Sequence, residues 1–555
     1  MQLHLSAKYL LLLLLGTTLL QAELRLPNVF GDGMVLQCDK PIRIWGWAKP
    51  GEKVTIALGN QSASATADEN GKWNAELKSI AASFDGQQLK VSTGSSTLSY
   101  KDILIGEVWL CGGQSNMEWM LRGTRDADLE IDSAHYPAIR FLRIPKVAAG
   151  SPQDDFVVPE GNTHEGRWMP CIPEHAGLCS AVGYYFAKRL QQRLQVPIGL
   201  IDTSWGGTMA QFWVSEETLR PIPEMKSYFE AHEKAVAEWT DGDKEAGAKK
   251  RYEADLVAWE AKAKEAQEKG EKRPGGRPNS KNYIDPSSKA HPAAMYNGVL
   301  MPVAPYTIRG ALFYQGENNS FGEAWKPFVK TYEAVVSDWR KAFKDETLPI
   351  GLLQIAGWSN RRSMSYDMNH HTNVVREVQH RTWEKTKNTG LIVTFDANRD
   401  GNIHPNVKAP VGERSARWAL STVYDVKRNG SQEPLEWRGP VYESASFSEG
   451  KAMIRFKKDT ARGLKFDKDI VLGFYIAGED KKFHIAKAKI HGSKGGDGQV
   501  EVWSSEVKEP KAVRYAQSNL PIGTLINGRI LPAYPFRTDT WPITPHHSTG
   551  EYIAE

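Results

Sequence analysis

Cysteine is scarce in this chain: Cys38, Cys111, Cys171 and Cys179 are the four among 555 residues. No Cys-x-x-Cys pair or His-x-x-x-His spacing marks a zinc site, and no metal or cofactor is expected. Cys171 and Cys179 are close enough in sequence to close a small loop in an oxidising compartment. Cys111 lies in an apolar run and reads as a free, inert thiol. An excess of one charge is also lacking. Lys and Arg number 70 against 66 Asp and Glu, a net charge of +4, which speaks against a nucleic-acid or membrane-surface partner. Apolar runs of membrane-spanning length are missing. Lys8 precedes Tyr9–Leu15, and Gly16-Thr-Thr breaks the run before Leu19-Leu20. This is too short for a secure anchor and reads as a secretory leader, residues 1–22, with Ala22 before the cut. A secreted or periplasmic protein beginning near Glu23 is expected, with no membrane contact after leader removal.

What is present suits two or three globular domains: 41% hydrophobic and 25% charged residues, with 18 tryptophans. Residues 23–99 alternate as strands do, in Val54, Ile56, Leu58 and in Trp73, Ala75, Leu77, with turn signals at Pro50-Gly51 and Asn70-Gly71. A small β-domain is expected there. Residues 426–555 read as a second β-domain, with runs such as Met453–Phe456 and Val500–Val502 separated by turns.

Residues 100–425 follow another pattern. Five apolar runs each end in a polar or glycine-rich cluster. Ile103–Leu110 leads to Gly112-Gly-Gln-Ser115, Ile198–Ile201 to Ser204-Trp-Gly-Gly-Thr208, and Ile308–Phe313 to Gln315-Gly-Glu-Asn-Asn319. Ile350–Ile355 leads to Gly357-Trp358, and Leu391–Phe395 to Asp396 and on to Ile403-His404-Pro405. Helical stretches such as Ser180–Arg193 and Val411–Leu420 lie between several of them. Strands alternating with helices predict an α/β fold with a parallel sheet covered on both faces. Ligands bind beyond the carboxyl ends of such strands, so Ser115, Gly206, Gln315 and His404 are expected around one cleft. Residues 224–278 interrupt the pattern as a helical, charged insertion. It should hold two amphipathic helices, with Phe229, Val236 and Trp239 on one helical face and Tyr252, Leu256 and Trp259 on another, before an Arg273–Pro278 link.

Acyl transfer needs a nucleophile, a base, a group orienting the base, and donors for a tetrahedral oxyanion. Ser115, on a strand-to-helix turn, supplies the first, and the same position also suits a helix-capping serine. His404 is the best base, ahead of His371, His380 and His291. The donors are the backbone N–H of Ser115, that of Gly206 or Gly207, and the Gln315 amide with Asn318 or Asn319 behind it. Each donor aimed at the developing charge contributes roughly 3–4 kcal/mol. Glu317 reads as structural support. Met117 replaces the second glycine of a Gly-x-Ser-x-Gly elbow, which places the chain outside the α/β-hydrolase fold.

The ordered set Gly113-Gln-Ser-Asn-Met-Glu-Trp119, Ser204-Trp-Gly-Gly-Thr208, Tyr314-Gln-Gly-Glu-Asn318 and Ile403-His-Pro405 resembles the sialate O-acetylesterase family, a branch of the SGNH-type (GDSL-like) hydrolases. Met34–Gln37, Trp45-Gly-Trp47 and Pro535–Asp539 extend the resemblance over nearly the whole chain. It implies a flavodoxin-like three-layer αβα domain flanked by β-domains, and a serine esterase removing acetyl groups from sugar hydroxyls. Ser115 would be the nucleophile and His404 the base, with Gly206 or Gly207 and Gln315 at the oxyanion. Many relatives carry an aspartate two or three residues before the histidine, where this chain has Asn402 and Gly401. Asp400 is the preferred orienting group, with Asp396 or a main-chain carbonyl as alternatives. Trp119, Trp205 and Trp358 are candidate sugar-facing residues. Arg376 or Arg122 is the candidate cation for a sialate carboxylate. The rival substrate is acetylated xylan or another polysaccharide, and the rival of another class is a non-catalytic carbohydrate-binding protein. Nothing in the pattern specifies an oligomer.

Overall fold

One strand, β7 (Thr97–Gly113), runs 17 residues and passes through two environments. Its first six residues are exposed or half-buried, while every residue from Ile103 onward is buried. The computed structural model describes residues 23–161, 164–240, 244–270, 277–278, 291–358, 368–398, 401–492 and 496–554. Ahead of β7 come β1 (Val35–Gln37), β2 (Ile42–Trp47), β3 (Lys53–Leu58), β4 (Gln61–Thr66), β5 (Lys72–Leu77) and β6 (Ser83–Ser92). The early part of β7 pairs antiparallel with β6, and Leu104–Gly106 pair parallel with β1. From Glu107 the same strand becomes the centre of a second sheet. The division expected at residue 99 therefore falls inside a continuous strand.

The second sheet adds β8 (Tyr136–Arg143), β9 (Trp168–Cys171), β10 (Ile198–Asp202), β11 (Gly310–Tyr314), β12 (Ile350–Leu353) and β13 (Thr389–Ile392). Its order is β13-β12-β11-β7-β10-β8-β9. All neighbours are parallel except β9, which lies antiparallel on β8. Within this sheet the central strands are buried throughout and mostly apolar because both faces are covered. The helices used below are α1 (Ser115–Glu118), α2 (Ala181–Leu194), α3 (Lys226–Thr240), α4 (Lys244–Glu268), α5 (Trp325–Ala342), α6 (His371–Lys385) and α7 (Ala409–Thr422). Helices α2 and α7 pack together, as do α5 and α6. Trp109 meets Phe186 of α2 and Trp418 of α7, with ring centroids 4.9 and 6.0 Å away. Phe313 meets Trp339 of α5 at 5.0 Å. This is the α/β class and three-layer αβα arrangement expected of a flavodoxin-like SGNH domain. It also accounts for several tryptophans, since Trp109, Trp213, Trp339 and Trp418 are fully buried.

The C-terminal region forms two four-stranded sheets. One contains Tyr442–Ser448, Lys451–Phe456, Gln499–Trp503 and Lys487–His491; the other contains Phe483–Ile485, Phe474–Ala477, Ala512–Tyr515 and Phe536–Arg537. This region is fastened to the central domain. Arg537 Nε lies 2.9 Å from Glu377 of α6, and Tyr534 Oη donates to Leu391 O at 2.6 Å. In the inserted segment, α3 buries Phe229. Tyr252, Leu256 and Trp259 of α4 are half-buried while most of its other described side chains face solvent. Most of the Arg273–Pro278 link lies outside the described residues, as does the leader run 1–22. Among the described residues no helix is long and apolar enough to cross a membrane. Cys171 and Cys179 are separate buried thiols here, not a bridge, and burial pushes the Cys171 thiol up to about 12.

Candidate active site

Strand β7 ends where two glycines permit what no other residue would. Gly113 has φ +121°, and a Cβ there would fall 2.2 Å from the Tyr314 carbonyl oxygen of neighbouring β11. Without side chains the two strand ends lie close, and the chain turns into α1. Ser115 opens that helix half-buried. Buried Gln114 is held from behind, its Oε1 accepting from Gln315 Nε2 at 2.9 Å and from the Asn318 backbone N–H at 3.2 Å.

His404 reaches the same place from the segment after β13. Its Nε2 lies 2.7 Å from Ser115 Oγ, although 289 positions separate the two residues. The ring is stacked on Trp119, with centroids 5.4 Å apart and planes 26° from parallel. Its backbone N–H donates to Asn402 Oδ1 at 3.0 Å. Burial holds the imidazole below its ordinary value, Lys408 adds to this, and Glu118 opposes it. The neutral, proton-accepting form is therefore favoured. The weaker histidine candidates are engaged elsewhere. His291 faces Glu216 at 3.2 Å and His380 faces Glu384 at 3.6 Å, while His371 is held down to about 4, chiefly by burial.

Asp400 lies outside the described residues. Asp396 is turned away from the imidazole: both its carboxylate oxygens accept from Arg414, at 2.7 and 2.6 Å. Among the described residues, no carboxylate comes within 4.0 Å of a His404 ring nitrogen.

The expected oxyanion donors require correction. The Gln315 side chain is fully buried and spends its amide on Gln114 Oε1 and on Thr208 O, at 2.9 and 2.8 Å. It therefore ties the nucleophile turn to the Gly206-Gly207-Thr208 loop and does not face the cleft. The backbone N–H of Gly206 donates to Glu118 Oε2 at 2.6 Å, and Glu118 is itself paired with Lys146. Gly206 packs against the nucleophile, so a Cβ there would stand 3.2 Å from Ser115 Cβ. Among the described residues, the backbone N–H groups of Ser115 and Gly207 have no protein acceptor. The Asn318 amide, half-buried, donates to Gly207 O at 2.9 Å, and Asn319 is fully buried behind it.

The expected sugar contacts fare unevenly. Trp119 gives one face to His404, and its Nε1 donates to Gly123 O at 2.9 Å. Trp205 is half-buried against the core, with its backbone N–H on Gly113 O. Trp358 tilts against Phe321 at 4.9 Å and donates from Nε1 to Ser320 Oγ at 3.3 Å. Arg376 is 1% exposed and bonds Asn373 Oδ1 at 2.8 Å and the Ser518 carbonyl. It pins the C-terminal region and is unavailable to a ligand carboxylate. Arg122 is exposed.

A cluster that the sequence reading did not assemble lies beneath the pair. Asn116 Nδ2 donates to Glu317 Oε1 at 2.5 Å and to the Ile403 carbonyl at 2.9 Å, and Asn116 Oδ1 accepts from Lys408 Nζ. All three side chains are at least 98% buried. The available signal was position alone: Asn116 follows the serine, Glu317 sits in the Tyr314–Asn318 motif, and Lys408 stands four residues after the histidine.

Known proteins resemble the chain at two levels. A family described as carbohydrate esterase, sialic acid-specific acetylesterase, matches residues 286–421. Among curated proteins, the sialate O-acetylesterase of Mus musculus is 25% identical over 368 residues, and that of Homo sapiens 24% over 362. These alignments cover 62% and 61% of this chain. The chain spans 62% of the length of the mouse protein and 58% of the human one. Among solved structures, a carbohydrate acetylesterase from Xanthomonas citri superposes with a TM-score of 0.74 at 30% identity, over 93% of this chain and all of that one. The pairing of Ser115 with His404 at the carboxyl edge of this sheet, and a similarity that runs the length of the Xanthomonas protein, lead to one assignment: the chain belongs to the sialate O-acetylesterase family of carbohydrate esterases.

Proposed function

We propose that this protein hydrolyses O-acetyl esters on carbohydrates through an acetyl-serine intermediate. The observation that carries the reading is the 2.7 Å contact between His404 Nε2 and Ser115 Oγ, within direct proton-transfer reach. Ser115 Oγ attacks the acetyl carbonyl carbon as His404 Nε2 takes its proton. The tetrahedral oxyanion is held by the Ser115 N–H and by the Gly206 and Gly207 loop. Collapse expels the sugar oxygen, which receives the proton from His404. Water then attacks the acetyl-serine with His404 again as base, releasing acetate and restoring Ser115 Oγ–H. Asp400 is the proposed orienting group for the imidazole. Residues 1–22, read as a secretory leader, support a proposed location outside the cytoplasm, in the periplasm or medium, and the proposed division is 23–99, 100–425 and 426–555.

The family's name favours an O-acetylated sialic acid as substrate. Burial of Arg376 supports a second reading, an acetylated neutral polysaccharide such as xylan, because one of the two cations expected to meet a sialate carboxylate is engaged inside the protein and exposed Arg122 is left as the other. Acetate release from O-acetylated sialic acids and from acetylated xylo-oligosaccharides, compared between wild type and Ser115→Ala, tests both. Release by wild type, with a loss of about 10⁴-fold or more in the variant, is expected. Sugar binding with no acetate released from either class would overturn the esterase reading in favour of a carbohydrate-binding protein.

A further inference from the structure

We propose that Lys408 is a positioning residue for the Ser115–His404 pair, acting through Asn116 and balanced by Glu317. The proposal rests on the esterase reading above and deepens it. The Asn116 carboxamide joins the two catalytic segments. Its backbone continues from Ser115, and its Nδ2 grips the carbonyl of Ile403, the residue before His404. An amide with two acceptors on one end needs a donor on the other to fix its flip state. Lys408 Nζ provides that donor at Oδ1.

A lysine that is 1% exposed is unusual, because burying an ammonium is costly unless it is paired. Here it has a neutral amide in contact, a carboxylate one residue removed, and two aromatic faces. The ring of Tyr314 lies 5.8 Å from Nζ and that of Trp119 5.9 Å. The Trp119 ring is also the one stacked on His404. Burial brings the Lys408 ammonium down to about 7, against the pull of Glu317. Burial raises the Glu317 carboxyl, while the Asn116 hydrogen bond and Lys408 oppose this. Among the described residues, the charged or titratable neighbours of His404 are Lys408, which disfavours imidazolium, and Glu118, which favours it and is tied to Lys146. Tyr314, beside Lys408, is held far above its ordinary value by burial and stays neutral. The buried cation thus does two things: it orients the amide that spaces nucleophile and base, and it helps keep the base unprotonated.

The two roles predict signs that loss of packing would not produce. Lys408→Met keeps the volume and removes the charge, so the His404 titration moves up by about half a unit to one unit. Glu317→Gln leaves the ammonium unopposed and moves the titration down. The experiment is a ¹³C NMR titration of histidine-labelled protein, with His404 assigned by His404→Ala. It is run beside hydrolysis of 4-nitrophenyl acetate by the same variants and by Ser115→Ala. Opposite displacements of the His404 titration support the proposal, and kcat should fall about tenfold or more in Lys408→Met with KM changing less than about threefold. Where Lys408→Met does not fold, the direction of the Glu317→Gln displacement decides. Titrations that coincide with wild type, or that move in the same direction, overturn the proposal. The titration needs no turnover, so wild-type hydrolysis no faster than Ser115→Ala would overturn the esterase reading separately.

Discussion

Glu118 Oε2 accepts a 2.6 Å hydrogen bond from the backbone N–H of Gly206, so a protein carboxylate holds the N–H proposed above as an oxyanion donor. Lys146, paired with the same carboxylate, keeps the arrangement from being a bare anion beside the nucleophile. On the proposed mechanism, the ester oxyanion would replace one negative oxygen with another at this N–H.

Removing that charge should alter the base. Glu118 favours the protonated form of His404, so Glu118→Gln should lower the imidazole's pKa. The acid limb of kcat/KM should then move to lower pH. A pH–rate profile on a small acetate ester checks this. A limb that stays in place or moves upward would show that the carboxylate does not act on the histidine.

Wild-type pH dependence follows from the same group. His404 accepts a proton only when neutral, and burial, aided by Lys408, depresses its pKa below 6.5. Activity should therefore rise with pH, with its midpoint on the acid side of 6.5, and fall as pH drops through the depressed value. Measuring kcat/KM from about pH 4 to 8 tests this; an apparent pKa above 6.5 would contradict it.

Gly206→Ala should damage turnover more than binding. A Cβ at this position would stand 3.0 Å from Glu118 Oε2 and 3.2 Å from Ser115 Cβ. It would push the loop off the nucleophile and misdirect the donor. A loss of about 10- to 100-fold in kcat, in the range seen when an oxyanion donor is disturbed, is expected with a smaller change in KM. Steady-state kinetics with the melting temperature as control checks it.

The C-terminal region offers a stability test. Arg514 binds Asp539 through two hydrogen bonds, at 3.0 and 2.9 Å, and Arg537 adds a third at 3.2 Å, with all three side chains at most 4% exposed. Asp539→Ala leaves two buried cations short of a partner and should cost about 3–5 kcal/mol. Burial alone would raise the Asp539 carboxyl, but the arginines overcome this and hold it below 3.8. Its contribution is therefore present above that value and lost as pH falls through the depressed one. Thermal melts of wild type and variant should differ most near neutrality and converge in acid.

The pairing of Ser115 with His404 was legible because each residue is announced by local grammar. Ser115 follows an apolar strand and a glycine pair, and His404 follows the last apolar run and precedes Pro405. The parallel sheet was legible for the same reason, since five runs end in polar clusters. Orientation was not legible. Gln315 stands at a strand end like the others, yet nothing in its neighbours shows that its amide turns inward to Gln114 and Thr208. Arg376 looked free because a lone arginine in a polar helix is ordinarily exposed; its partners, Ser518 and Asn519, lie over 140 positions away. Lys408 was passed over because lysine is the residue type least expected in an interior. Only the fold shows that its partner Asn116, 292 positions away, is adjacent to it.

Strand β7 has an evolutionary consequence. Its early residues belong to the amino-terminal sheet and its last ones lead directly into the turn that presents Ser115, with no linker between. The amino-terminal β-region is therefore not a detachable appendage that recombination can exchange for another binding module. A graft at this junction would have to cut the strand that runs directly into the turn bearing Ser115.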